Sequence, residues 1–293
     1  MPSVGSTTRW AAEDARDRLR VPAADDDKYA RGVVGLVTGS DAYPGAAVLG
    51  VEAAHRAGAG MVRYVGPRRA ADHVLHRRPE TVAGTGRVQA WVLGSGTDAA
   101  HRSPSLRATL HEAMGQGVPV VLDAGALDLV RLGDAPRLLT PHAGELRTLL
   151  VALGIDVERS TIEGDPERWA REAAERTGAT VLLKGARTIV ADGARTALVE
   201  APTHWLATAG TGDVLAGIAG ALLAAHADAI VTDPGILVDL GATAAWLHCE
   251  AGMLASRGGP LVALEVAERV AEVVRDVLAS DQPASGSAAR STR

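Results

Sequence analysis

Short apolar runs, each closed by glycine, proline or a small polar residue, recur along the chain between Gly32 and Val199. Gly32-Val-Val-Gly-Leu-Val37, Met61-Val-Arg-Tyr-Val65, Ala90-Trp-Val-Leu93, Val118–Leu122, Arg137-Leu-Leu139 and Thr180–Leu183 have strand length. Most are apolar at nearly every position rather than at alternate ones, which predicts strands buried on both faces. Ala46–Arg56, Leu106–Met114 and Pro166–Arg176 lie between them with helical length and spacing. Thr188–Ala191 and Thr196–Val199 flank Asp192-Gly193, a hairpin signal. Two late helices are predicted over Pro234–Ala255 and Val262–Leu278, and a short one around Ala11–Arg20. Strands alternating with helices at this spacing predict an α/β domain whose mainly parallel sheet is covered on both faces.

Residues 1–27 read as a polar N-terminal extension in which Asp25-Asp-Asp27 is a solvated charge run. Residues 28–279 read as one domain without an internal repeat or linker, and 280–293 as a small, polar, disordered tail. A chain of 293 residues, 47% hydrophobic, can bury a sizeable core in one large domain. Glycines or charges interrupt every apolar stretch before it reaches membrane length, which predicts no membrane partner. Met1–Thr8 carries no charged segment followed by an apolar one, so a cytoplasmic protein is expected. A net charge of -5 with only 3% aromatic residues argues against nucleic acid as a partner. One cysteine, Cys249, excludes an intrachain disulfide and reads as a buried inert thiol in its apolar stretch. His55, His73, His76 and His101 lack metal-ligand spacing, and the pairs Arg68-Arg69 and Arg77-Arg78 read as solvated.

Candidate chemistry concentrates where strands end, because parallel sheets bind ligands at their carboxyl edge. Ser40–Gly45, Gly94–Thr97, Asp123–Gly125, Pro141–Glu145 and Lys184–Gly185 all follow predicted strands. They should share that edge with Leu206-Ala-Thr-Ala-Gly-Thr-Gly-Asp-Val-Leu-Ala-Gly217, whose small residues permit a sharp turn into an apolar helix. Unpaired amides and the helix dipole make such a start a site for anions. Asp213 at its mouth reads either as the base of a phosphoryl-transfer site or as an N-cap after a glycine turn. His142 points either into the cleft or caps the helix that begins beside Glu145. Lys184 either neutralises a phosphate or reaches solvent as an ordinary strand-end lysine. A Mg²⁺-linked role for Asp123 is conceivable on one carboxylate only.

Several segments in this order match a known pattern: Lys28-Tyr-Ala-Arg-Gly32, Gly39-Ser40 with Tyr43-Pro-Gly-Ala-Ala47, and Ala57-Gly-Ala-Gly60. Leu122-Asp-Ala124, Leu139-Thr-Pro-His-Ala-Gly-Glu145, Leu183-Lys-Gly185 with Thr188-Ile-Val190, and Ala207–Gly217 complete it. The chain resembles the ADP-dependent NAD(P)H-hydrate dehydratases of the ribokinase-like superfamily over about Lys28 to Leu278. The Thr-Pro-His-x-Gly-Glu segment separates that family from most sugar and vitamin kinases of the superfamily. The resemblance implies a three-layer α/β/α sandwich and a carbon–oxygen lyase that repairs nicotinamide cofactors. The (S)-hydrate of NADH or NADPH is dehydrated at the expense of ADP, leaving AMP and phosphate. It also implies Asp213 as the catalytic base, and Ala46, Gly96, His142 and Asp213 as the lining of the hydrate pocket. Lys184, Gly185, Ala186, Arg187, Thr188 and Gly212 would hold the nucleotide. ADP as phosphoryl donor, a bridging Mg²⁺ without assigned protein ligands, and a homotetramer follow from the same resemblance.

Three departures stand out. Gly94-Ser-Gly96 is shorter than the usual Gly-Pro-Gly-Leu-Gly, Gly125 replaces a second aspartate, and Pro202-Thr-His-Trp205 replaces Gly-Asn-Pro-Gly. The residues before Lys28 are too few to house the epimerase domain fused to some members. Two other readings stay open: a ribokinase-like kinase of a vitamin-precursor alcohol, and a nucleotide-binding module without turnover.

Overall fold

The structure, a computed structural model, describes residues 7–280. Ten strands form one sheet: β1 (Thr7–Arg9), β2 (Val33–Val37), β3 (Met61–Tyr64), β4 (Val82–Ala83), β5 (Ala90–Leu93), β6 (Val120–Leu122), β7 (Arg137–Leu139), β8 (Thr180–Leu183), β9 (Arg187–Ala191) and β10 (Thr196–Glu200). Their spatial order is β1-β10-β9-β8-β7-β6-β5-β2-β3-β4. Only β9 runs against its neighbours, because the β8–β9 and β9–β10 connections are hairpins while the other pairs are parallel. The predicted hairpin at Asp192-Gly193 is thus present, with Asp192 Oδ1 accepting from the Ala194 and Arg195 amides.

Helices cover both faces. One face carries α1 (Ala12–Arg16), α2 (Pro44–Arg56), α3 (Arg68–Arg77), α8 (Thr211–Ala225), α9 (Ala227–Thr232), α10 (Ile236–Ser256) and α11 (Ala263–Ala279). The other carries α4 (Pro104–Met114), α5 (Ala143–Ala152), α6 (Arg159–Gly164) and α7 (Pro166–Thr177). Val34, Leu36, Val92, Val121 and Leu182 point to the first layer, and Val33, Val37, Trp91, Leu93, Val120 and Leu183 to the second. Both faces of the central strands are therefore core, which is why their sequences show no polar alternation.

Helix α8 lies in the middle of the first layer, with twelve of its fifteen residues buried. A helix buried all round must be apolar all round, and its glycines set how close its neighbours come. A Cβ at Gly217 would lie 2.2 Å from the Gly50 carbonyl oxygen of α2, and one at Gly220 2.2 Å from Val92 on β5. Cys249, on the neighbouring α10, is buried, and burial pushes its thiol up to about 12, so it is inert as expected.

The structure departs from the sequence reading at the N-terminus and at two arginines. Within the expected polar extension, Thr7–Arg9 form β1, paired in parallel with β10, while the short helix predicted around Ala11–Arg20 is present as α1. Trp10 is buried and its indole donates to Thr243 Oγ1 at 3.2 Å. β1 is polar because an edge strand needs no second apolar face. Of the expected tail, residues 281–293 lie outside the described residues, as do residues 1–6 of the expected extension. Arg77 and Arg78 are not simply solvated: with Arg56 they converge on the fully buried Glu52 carboxylate. Burial pushes that carboxyl up, but the three guanidiniums outweigh it and hold Glu52 below its ordinary range. Among the described residues no helix is long and apolar enough to cross a membrane.

Substituting Gly217→Ala should therefore destabilise the protein by about 1–3 kcal/mol despite the better helix propensity of alanine. Gly164→Ala, where a Cβ meets nothing within 4 Å, should be neutral or stabilising. Urea denaturation midpoints of the two variants check this.

Candidate active site

The parallel strands β2, β5, β6, β7 and β8 deliver Thr38, Gly94, Asp123, Thr140 and Lys184 to one edge of the sheet. Asp123 ties the loops there together. Its Oδ2 accepts from Ser95 Oγ at 2.7 Å, and its Oδ1 accepts from Thr140 Oγ1 at 2.8 Å and Lys184 Nζ at 2.9 Å. Burial pushes the Asp123 carboxyl up, but the Lys184 ammonium and the hydrogen bonds outweigh it and hold the group below its ordinary range. The same burial pulls the Lys184 ammonium down, and Asp123 with Glu145, 3.6 Å away, more than offsets it and raises it. Lys184 is therefore not a strand-end lysine reaching solvent; it is a charged group held inside the site. With Asp123 committed to three donors, the conceivable Mg²⁺ role for it is not supported.

The glycine turn enters α8 as the sequence predicts. Gly210 adopts φ 92 as the residue before the helix, a conformation that favours glycine. Thr211 is buried and its hydroxyl donates to the Leu206 and Thr208 carbonyls at 2.8 and 2.9 Å, which pins the turn. The amides of Gly212 and Asp213 fall in the first helical turn, where no intrahelical acceptor exists. Asp213 is the third helical residue, not the N-cap, and no side chain caps this helix. Its carboxyl is pushed up to about 7, first by burial and then by the Asp123 charge, with Lys184 pulling the other way. A methyl group at Gly212 would lie 3.5 Å from Lys184 Nζ.

On the α2 side the structure brings Ala46 and Gly96 together. Gly96 has φ 68, and a Cβ there would lie 2.4 Å from Ala46 Cβ and 3.2 Å from the Tyr43 carbonyl oxygen. His142 is the N-cap of α5: its Nδ1 accepts from the Gly144 and Glu145 amides at 3.0 and 3.1 Å, and Glu145 Oε2 accepts from the His142 amide at 2.8 Å. An accepting Nδ1 places the ring proton on Nε2, and the side chain is 57% exposed. Capping and an outward N–H are thus both available to His142. In the β8–β9 hairpin, Thr188 is buried with its hydroxyl donating to the Gly185 carbonyl at 3.1 Å, while Gly185, Ala186 and Arg187 are exposed. Lys184 and Thr188 are the members of that run whose side chains turn inward.

Ser95 and Thr140, which fix Asp123, were not singled out in the sequence, although Thr140 directly follows β7 and Ser95 lies two residues beyond β5. His248 on α10 was also missed: it is buried, and burial pulls its imidazole down to about 4. Its only sequence signal was a histidine inside an apolar helix. Gly125 has a structural reason. A Cβ there would lie 2.3 Å from the Thr97 carbonyl oxygen, because the short loop closes by Thr97 N and Oγ1 donating to the Gly94 carbonyl. Arg102 spans the gap, bonding the Gly125 carbonyl and Asp128.

Among the described residues no group of three or more His, Cys, Asp or Glu could hold a metal ion.

The model of the NAD(P)H-hydrate dehydratase family matches residues 34–270 of the chain. The bifunctional NAD(P)H-hydrate repair enzyme Nnr of Corynebacterium glutamicum is 39% identical over 263 residues, 80% of this chain and 45% of that protein. The ADP-dependent (S)-NAD(P)H-hydrate dehydratase of Xanthomonas campestris pv. campestris is 32% identical over 251 residues, 77% of this chain and 84% of that protein. The ADP/ATP-dependent NAD(P)H-hydrate dehydratase of Bacillus subtilis, co-crystallised with ATP/Mg²⁺, superposes with a TM-score of 0.80 at 25% identity, over 93% of this chain and 99% of that one. The chain spans about half the length of the bifunctional relatives it matches.

Two variants separate the two roles open to His142. His142→Ala should lower stability by about 1 kcal/mol through loss of the cap, and asparagine, a good cap, should restore it. Thermal melts check the stability. Turnover should fall in both variants, because neither keeps the Nε2 donor; full activity of His142→Asn would leave the residue a cap alone.

Proposed function

Because the chain belongs to the NAD(P)H-hydrate dehydratase family, we propose that it dehydrates the (S)-hydrate of NADH or NADPH with ADP as phosphoryl donor, releasing AMP and phosphate. The observation that carries this reading is the Asp213 carboxyl in the first turn of an uncapped helix, where burial pushes it up to about 7. A charged lysine lies across Gly212 from it. Base, anion site and cation are the parts that phosphoryl transfer to an alcohol requires.

Hydroxide leaves poorly near neutral pH, and conversion to a phosphate ester removes that barrier. The hydrate lies against Ala46, Gly96 and His142, with its C6 hydroxyl on Asp213. Lys184, Gly185, Ala186, Arg187, Thr188 and Gly212 hold the nucleotide. Asp213 takes the hydroxyl proton as the oxygen attacks the β-phosphorus of ADP, the bond to the α-phosphate oxygen breaks, and AMP leaves. The Gly212 and Asp213 amides and the Lys184 ammonium stabilise charge on the transferred group, usually the largest catalytic contribution. The ring nitrogen lone pair then expels phosphate from C6, and loss of a proton from C5 restores the dihydropyridine. Mg²⁺ bound to the phosphates would add charge neutralisation. The assembly proposed for the family, a homotetramer, and a cytoplasmic location complete the reading.

Incubation of the protein with hydrated NADH should restore the reduced-nicotinamide absorbance with ADP and leave AMP. Nucleotide consumption with an alcohol substrate and no such recovery would instead support a kinase, and nucleotide binding without turnover a module that has lost chemistry. Asp213→Asn should lower kcat by about a hundredfold or more, with nucleotide affinity largely kept. Since the base acts deprotonated, kcat/KM should be lost as pH falls through about 7.

A further inference from the structure

Resting on the reading of Asp213 as the base, we propose that Asp123 is a positioning residue that holds the Lys184 ammonium on the nucleotide side of the site and away from the Asp213 carboxylate. Asp123 makes no approach to either ligand side: it is 3% exposed and sits beneath Ser95, Thr140 and Lys184. Lys184 has two carboxylates within 4.0 Å, Asp123 at 2.9 Å and Glu145 at 3.6 Å, and Asp213 is not one of them. Yet Asp213 is close enough for its charge to act on Lys184, and Gly212 lies against the Nζ atom.

A flexible lysine so near an acid would pair with it unless a better partner held it back. Asp123 is that partner, because two hydroxyls fix its carboxylate and leave Oδ1 aimed at the ammonium. A lysine paired directly with Asp213 would make it a weaker base and would withdraw a cation from the phosphates. The ionisable groups bearing on this balance come from four elements. Asp123 ends β6, Lys184 ends β8, Glu145 with His142 starts α5, and His248 lies on α10. Asp213 itself feels Asp123 and Lys184.

Asp123→Asn keeps the shape and removes the charge. Lys184 should then swing to Asp213, moving the acid limb of kcat/KM down by about one pH unit or more and lowering kcat on the plateau. Ser95→Ala keeps the Asp123 charge and its Oδ1 contact with Lys184, and should move that limb by less than Asp123→Asn does. Carbon-13 carboxyl NMR of the wild-type protein is independent of turnover and of the variant's folding. It should find Asp123 titrating below its ordinary range and Asp213 near 7. An Asp213 that titrates as an ordinary aspartate in the wild type, or an unmoved acid limb in a folded Asp123→Asn protein, overturns the proposal. Undiminished turnover by Asp213→Asn would instead overturn the reading of the base on which it rests.

Discussion

The buried ion pair between Asp123 and Lys184 is the constraint on which the carboxyl edge of the sheet depends. It joins the ends of β6 and β8 directly, and through Ser95 and Thr140 it joins those of β5 and β7. A buried carboxylate and a half-buried ammonium are tolerable because each has several partners. The arrangement also fixes the charge balance of the cleft, since one lysine stands between a carboxylate beneath it and the carboxylate of Asp213. Four loops from distant parts of the sequence are thereby held in one geometry, and the strand ends become a preorganised surface rather than a set of independent turns.

The second requirement is close approach. Helix α8 must bring its first turn to that surface while its remaining length is wedged between α2, α10 and the sheet. Gly217 and Gly220 let backbone meet backbone and β-branched side chains without a gap. The same small residues that make the helix fit give its N-terminus a fixed position opposite Lys184. Packing and chemistry are therefore set by one element, and a shift in its seat would move Asp213 relative to Asp123 and Lys184.

Much of this was legible in the sequence. Strands buried on both faces announce themselves as apolar runs, so β2, β5, β7 and β8 were readable to within a residue. Asp213, Lys184 and His142 stood out because each follows a strand or opens a helix. What escaped depended on partners distant in the chain. β1 is short and polar, and only its pairing with β10 gives it structure. Arg77 and Arg78 looked solvated because nothing local shows that Glu52 lies buried 25 and 26 residues away. Ser95 and Thr140 are ordinary hydroxyl residues until the fold places Asp123 between them. Gly125 read as a lost acid, whereas its geometry shows a loop that has closed over the space that acid would occupy.

The central claim is that the C6 oxygen of the hydrate attacks the β-phosphorus of ADP and leaves as part of the phosphate. Hydrated NADH carrying oxygen-18 at C6, turned over with unlabelled ADP in unlabelled water, tests it directly. Recovery of the label in inorganic phosphate is the result this account predicts. Label released into water, with phosphate formed from solvent, would contradict it.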